Sequence, residues 1–337
     1  MTSSSGEKVP VAVFGAGHLG KFHARIYAAN PRAELVCVVD RDIERARTLA
    51  NELGCEALTP DADVTGRVRA ASVVVSTPAH ADVAVPLLEK GVACLVEKPL
   101  AGNLEDADRI IAAARTGGAA LTVGHVERFQ PGLRRVREMQ LRPRYIECHR
   151  LAPFTFRSTE VGVVHDLMIH DLDLVLDLVG SDVAEFDAVG GSILTPYEDL
   201  ASVRMVFENG ARANVTSSRV SLKPMRRFRM FASDSYVSLD FHTNSGLMVR
   251  KGPNFDRAKL AEFANATGEP RGDMVDEGLL GVEELELGGR ERPLQAELDH
   301  FLACVQSGTE PEVRGEDGRR ALALAERIVE RVRSQSW

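Results

Sequence analysis

The chain has 337 residues, of which 44% are apolar and 27% charged, and its formal net charge is −8. That length supports two domains with separate cores, and the acidic balance argues against general nucleic-acid binding. No apolar run opens the chain or approaches a membrane span, and the five cysteines show no CxxC spacing, so the expectation is a cytoplasmic protein with reduced, buried thiols, no membrane segment and no metal site.

Residues 9–29, VPVAVFGAGHLGKFHARIYAA, begin as an apolar strand ending at Phe14 and turn at once into a helical pattern. Gly15, Gly17 and Gly20 fit the spacing GxGxxG. Glycines at those places permit a tight turn, let the backbone approach a pyrophosphate and bring helix close to strand. The free N–H groups and positive dipole end of the helix then attract the anion. The spacing is weak alone, but here a second strand, AELVCVVD, follows and ends in Asp40. An acid at that distance accepts hydrogen bonds from the adenosine ribose. Gly15, Gly17, His18, Leu19 and Gly20 are therefore expected against a dinucleotide, with Asp40 and Arg41 at its ribose. The Asp40 carboxylate repels a 2′-phosphate and so favours NAD, while Arg41 and Arg45 leave room for NADP.

Further apolar strands, AASVVVSTP, ACLVEKP and ALTVGH, alternate with helical stretches. This alternation predicts a doubly wound parallel sheet over residues 1–125. Loops beyond such strands line the cofactor crevice, which puts Thr77, Pro78 and His80 near the nicotinamide half. For His80 a structural role at a helix start fits equally well. Glu97 and Lys98 end the strand LVE at the same edge, and both count with the cofactor site. A lysine there is either partly desolvated, and able to shuttle protons, or a surface residue at a strand end.

Arginines crowd the next segment: Arg128, Arg134, Arg135, Arg137, Arg142, Arg144 and Arg150, with KPMRRFRMF later at 223–231. Carboxylate partners and solvated faces account for most. Arg128, Arg150 and Arg157 sit where a bidentate fork would meet an anionic substrate.

Residues 161–180, VGVVHDLMIHDLDLVLDLVG, read as one amphipathic helix. Asp166, His170, Asp173 and Asp177 follow the i, i+4, i+7, i+11 pattern and form a thin polar stripe in an apolar girdle. The stripe either faces a cleft or is a wetted edge carrying an ordinary i,i+4 pair. Asp171 falls among the apolar residues, and nothing in the sequence explains it. Beyond it, YIECHRL (upstream), FDAVGGSIL, DLASVRMVFENG, ARANVTSSRV, RRFRMFAS and YVSLDF predict strands in succession, an antiparallel meander joined by tight turns. Residues 252–292, rich in Gly and charge, read as a long loop.

Taken in order, GAGHLGKFHARIY, STPAHADVAVPLLEKG, LVEKPLA, GHVERFQP, HDLMIHDLDL and ELDHFLACVQSGTEPEVRGEDGRRALALAERI resemble the Gfo/Idh/MocA family of nicotinamide-dependent sugar and polyol oxidoreductases, over about residues 9–332. The resemblance implies an α/β fold: a Rossmann domain over 1–125, a substrate-binding and oligomerisation domain over 126–315 with a mostly antiparallel open sheet, and a last helix at about 316–334 packing back on the first. It also implies a homodimer or homotetramer. Lys98 matches the family's catalytic lysine, and Asp166 and His170 match its Asp-x-x-x-His pair, so these three are the expected catalytic residues and, with Arg128, Arg150 and Arg157, the substrate contacts. GHVERFQP and the stretch 150–174 point within the family to the 3-hydroxyl of UDP-N-acetylglucosamine, in 2,3-diamino sugar synthesis for lipid A or O-antigen. A free polyol such as inositol is the alternative substrate, and an inactive NAD-binding regulator the alternative function.

Overall fold

The computed structural model describes residues 7–155, 160–264, 271–287 and 292–335. The chain divides into two units, Met1–Phe129 with Glu291–Leu324, and Gln130–Arg290 with Ala325–Trp337.

The first unit alternates strands and helices: β1 (Val9–Phe14), α1 (His18–Ala29), β2 (Ala33–Val39), α2 (Ile43–Leu53), β3 (Glu56–Leu58), β4 (Ala70–Val73), α3 (His80–Glu89), β5 (Ala93–Glu97), α4 (Leu104–Gly117) and β6 (Leu121–Gly124). The strands form one parallel sheet in the order β3-β2-β1-β4-β5-β6. Helices cover both faces, and this is why the strands are nearly unbroken apolar runs. Asp42 caps α2 by accepting from the Arg45 N–H, and Asn103 caps α4 by accepting from that of Asp106. The order reverses between β1 and β4, which opens a crevice at their carboxyl ends.

The second unit holds α5 (Pro131–Glu138), β7 (Tyr145–Leu151), α6 (Ile169–Val179), β8 (Val183–Gly191), β9 (Leu200–Phe207), β10 (Arg212–Ser218), β11 (Met225–Phe231), β12 (Ser235–Asp240), β13 (Ser245–Lys251), α7 (Arg257–Ala264), α8 (Arg271–Asp276) and β14 (Leu280–Glu286). Its eight strands lie in the order β14-β13-β12-β11-β7-β10-β9-β8. All neighbours are antiparallel except β7 and β10. The sheet is therefore not the simple meander the strand spacing predicts. Parallel neighbours need a long crossover, and the excursion through α6 supplies part of it. Residues 252–292 likewise depart from the expected loop, because α7, α8 and β14 lie there. Strand β14 is an edge strand carrying Glu283 and Glu284, and such charge on an edge discourages pairing with another chain.

Two helices follow, α9 (Pro293–Ser307) and α10 (Gly315–Arg333). Residues 291–315, expected with the second domain, belong to the first unit, where Leu298, Phe301 and Leu302 of α9 pack with Val11, Val13, Tyr27 and Leu95. Helix α10 is divided between the units at Leu324. No helix among the described residues is long and apolar enough to cross a membrane.

The stretch around residues 161–180 is not one uniform α-helix. Val164–Met168 form a π turn, closed by the Ile169 N–H on the Val164 carbonyl, before α6 begins. A π turn takes one more residue than an α turn, which hydrophobic spacing does not register. Asp171 finds its explanation across the packing. Both of its oxygens are gripped by Arg150 of β7, with Nε at 2.9 Å and Nη2 at 2.7 Å. The two side chains are only 11% and 9% exposed. Breaking one side of such a buried fork strands the other charge, so Asp171→Ala should cost roughly 3 kcal/mol of stability. The Arg150→Met/Asp171→Leu double variant should recover most of that in a denaturant unfolding titration, and equal losses in both variants would refute the pairing argument.

Candidate active site

The glycine-rich turn joins β1 to α1. Gly15 has φ of +105°, and a Cβ on it would strike the Val74 backbone. A Cβ on Gly20 would run into the Gly15 carbonyl. Helix and strand thus approach to a distance that only hydrogen side chains allow. Gly17, by contrast, faces open space, with nothing within 4 Å of a Cβ placed there. That combination, a tight turn with open room over the first N–H groups of α1, fits a dinucleotide's pyrophosphate. His18 and Leu19 are exposed on the first turn of the helix.

Asp40, just past β2, is 8% exposed. Its Oδ2 accepts from the Ala16 N–H at 2.6 Å and its Oδ1 from the Asp42 N–H at 2.9 Å. Asp40, the acid expected at the ribose, is thereby aimed by the glycine-rich turn itself. Arg41 beside it is exposed. Thr77 and Pro78 lie in a short 3-10 turn, Thr77–Ala79, between β4 and α3, across the crevice from Gly15.

His80 is 1% exposed, and its ring is enclosed by backbone carbonyls. Nδ1 lies 3.1 Å from the Pro99 oxygen and 3.3 Å from that of Leu100, while Nε2 lies 3.2 Å from the Val75 oxygen. Burial lowers its pKa, so the neutral ring donates one N–H to one of these carbonyls. Of the two readings open for His80, the structure gives the bracing one: it ties the loop after β4 to the loop after β5. Lys98 is half-buried in that second loop, directly after the buried Glu97.

In the second unit, Asp166 and His170 are both half-buried, Asp166 within the π turn and His170 at the start of α6. The rest of the expected stripe serves packing. Asp177 accepts from Arg137 of α5, with Nε at 2.8 Å, and Asp173 is 1% exposed. The arginines also go to carboxylates. Arg150 is committed to Asp171, and Arg128 is 3% exposed with Nη1 3.9 Å from Asp317. Arg157 lies outside the described residues. All five cysteines are free, with Cys37, Cys94, Cys148 and Cys304 buried. Sequence reading missed His23 and Ser72, which meet under the glycine-rich turn; the third position after Gly20 was the available signal, an imidazole on a helix face otherwise bound for the core.

Two family models match parts of the chain. An oxidoreductase family with an NAD-binding Rossmann fold matches residues 9–125, and the GFO/IDH/MocA C-terminal domain matches 133–237. The chain belongs to the GFO/IDH/MocA family. Residues 9–125 are the NAD-binding Rossmann domain of that family. The chain is 37% identical over 316 residues to a UDP-N-acetylglucosamine 3-dehydrogenase of Acidithiobacillus ferrooxidans, covering 93% of this chain and 94% of the relative. A solved structure of that enzyme superposes with a TM-score of 0.85 at 36% identity, over 97% of this chain and 98% of the other. A scyllo-inositol 2-dehydrogenase (NAD(+)) of Bacillus subtilis is 30% identical over 328 residues, 91% of this chain and 89% of the relative.

The cofactor preference has a direct test. Asp40→Ala removes the acceptor for the ribose hydroxyls, so NAD affinity should fall roughly tenfold or more, the worth of one or two hydrogen bonds to a charged group. NADP affinity should fall much less, because the repulsion of its 2′-phosphate goes as well. Fluorescence titrations with NADH and NADPH measure both, and a parent protein that prefers NADPH would overturn the role given to Asp40.

Proposed function

We propose that this chain oxidises the 3-hydroxyl of UDP-N-acetylglucosamine to the 3-keto sugar nucleotide with NAD, in the cytoplasm. The observation that carries the reading is the near full-length similarity to a dehydrogenase of that name, at a higher identity than to the inositol dehydrogenase. When bound, NAD supplies the two-electron acceptor. The protein's part is to hold the sugar and manage one proton. His170, whose ordinary pKa lies near neutrality, takes the proton of the hydroxyl as its carbon is oxidised. Asp166, one turn away, orients the imidazole and steadies its cationic form. Lys98 donates to an oxygen of the sugar, stabilising the charge that develops on it.

The diphosphate of such a substrate carries about two negative charges, which a protein of net charge −8 must offset locally. Arg128 and Arg150 already face carboxylates, so in this reading their contribution to the diphosphate is secondary to their packing role.

We also propose self-association through the open face of the second sheet. Tyr145, Phe231 and Tyr236 are cross-strand neighbours there, with ring centroids 5.6 and 4.7 Å apart, and all three are half-buried. Aromatic rows on a sheet face favour burial against a second copy. Light scattering should give a dimer or tetramer of the 36.7 kDa chain, and a monomer at micromolar concentration would refute this.

For the chemistry, Lys98→Ala and His170→Ala should stay folded while turnover falls about a hundredfold, the usual contribution of acid–base catalysis. For the substrate, NADH formation should follow UDP-N-acetylglucosamine in a panel that also holds inositols. Oxidation of an inositol alone would refute the sugar nucleotide and leave the dehydrogenase class standing.

A further inference from the structure

Beneath the glycine-rich turn, four polar side chains are joined in a line through the apolar core of the first unit. Tyr27 Oη lies 2.8 Å from Ser72 Oγ, Ser72 Oγ lies 3.2 Å from His23 Nδ1, and His23 Nε2 lies 3.1 Å from Glu97 Oε1. Tyr27, His23 and Ser72 expose no surface, and Glu97 exposes 8%. One arrangement of protons satisfies the whole line: Tyr27 donates to Ser72, Ser72 to Nδ1, and the Nε2–H to the carboxylate. The second carboxylate oxygen, Oε2, accepts from the Lys98 backbone N–H at 3.2 Å. Gly124 of β6 makes the room, since a Cβ there would come within 2.9 Å of the Glu97 carboxyl.

Stability alone gives little reason for this line. A carboxylate and imidazole buried among valines and leucines do no better for stability than apolar side chains of the same volume. What it provides is a fixed negative charge directly before Lys98. Burial pushes the Glu97 carboxyl up, yet the His23 hydrogen bond, with the charge and amide of Lys98, carries it below the ordinary value. Among the described residues, the titratable groups that face this carboxyl are His23 from α1, Lys98 at the end of β5 and His80 at the start of α3. The interaction is mutual, so the carboxylate favours the ammonium form of Lys98. His80 holds the other side of the same loop through the Pro99 and Leu100 carbonyls.

We propose that His23 and Glu97 are positioning residues for Lys98: the pair suspends the lysine's backbone and sets its charge from α1, the helix whose first turn carries the glycine-rich motif. The inference rests on Lys98 as the proton-handling residue of the proposed function.

The test is competitive acetylation of lysine amines across pH without substrate, read by mass spectrometry, with exposed Lys90 as the internal reference. In Glu97→Gln, the midpoint for Lys98 should move to lower pH by about one unit, the size expected on losing an adjacent opposite charge, while Lys90 stays put. The His23→Leu/Glu97→Met double variant leaves no bare buried charge and should fold even if Glu97→Gln does not. It should show the same shift in Lys98. With substrate, both variants should lose at least about tenfold in kcat with KM within about threefold. A folded variant in which Lys98 titrates as in the parent overturns the proposal. So does a double variant that cannot fold, because the pair would then serve stability alone. A shifted Lys98 in a protein whose parent form oxidises no sugar nucleotide leaves the positioning pair intact and removes the proposed substrate.

Discussion

The first unit depends on how closely α1 lies on β1. Gly20 cannot carry a Cβ without striking the Gly15 carbonyl, and Gly15 itself is pinned against the Val74 backbone with a positive φ. At that separation the Ala16 N–H reaches the Asp40 carboxylate, His23 reaches both Ser72 and Glu97, and Tyr27 reaches Ser72. A larger residue at either glycine would lift the helix and loosen all four contacts together. The acid expected at the ribose, the start of the helix expected at the pyrophosphate and the carboxylate before Lys98 are thus set by one steric condition.

The second unit solves a different problem, how to carry charge inside a sheet-and-helix core. Its answer is to pair acids with nearby donors. The buried Asp171 takes the fork of Arg150, and the half-buried Asp177 that of Arg137. Asp199 accepts from the N–H groups of Ile193, Leu194 and Thr195 and from the Thr195 hydroxyl, and these bonds hold its carboxyl below the ordinary value against the opposing effect of burial. Arginines that look in the sequence like an anion-binding cluster are largely spent on this internal matching. Asp166 and His170 stand apart by place: Asp166 lies within the π turn and His170 just beyond it, at a backbone irregularity that recurs at functional sites because it widens the helix and re-aims its side chains.

Both units show how far the chain's patterns extend. Strand and helix alternation predicted the parallel sheet, and six of the second unit's strands were visible as apolar runs, because burial on one or both faces leaves a local signature. Strands β13 and β14 were not visible. They lie toward an edge, where solvent-facing charge masks the alternation. The parallel placement of β7 beside β10 was hidden too, since which strands become neighbours depends on the crossover rather than on either strand's own residues.

The sequence by itself determined the Rossmann turn, the acid at Asp40, the EKP stretch around Lys98 and the Asp166–His170 pair, because each is a spacing of a few residues on one element or one turn. Tertiary structure alone decided that His80 braces a loop, that Asp171 belongs to Arg150, that α9 returns to the first unit, and that His23 meets Glu97. The last two partners are 74 positions apart. Such pairings follow from how sheets and helices stack, and no local periodicity records which buried donor will face which buried acid.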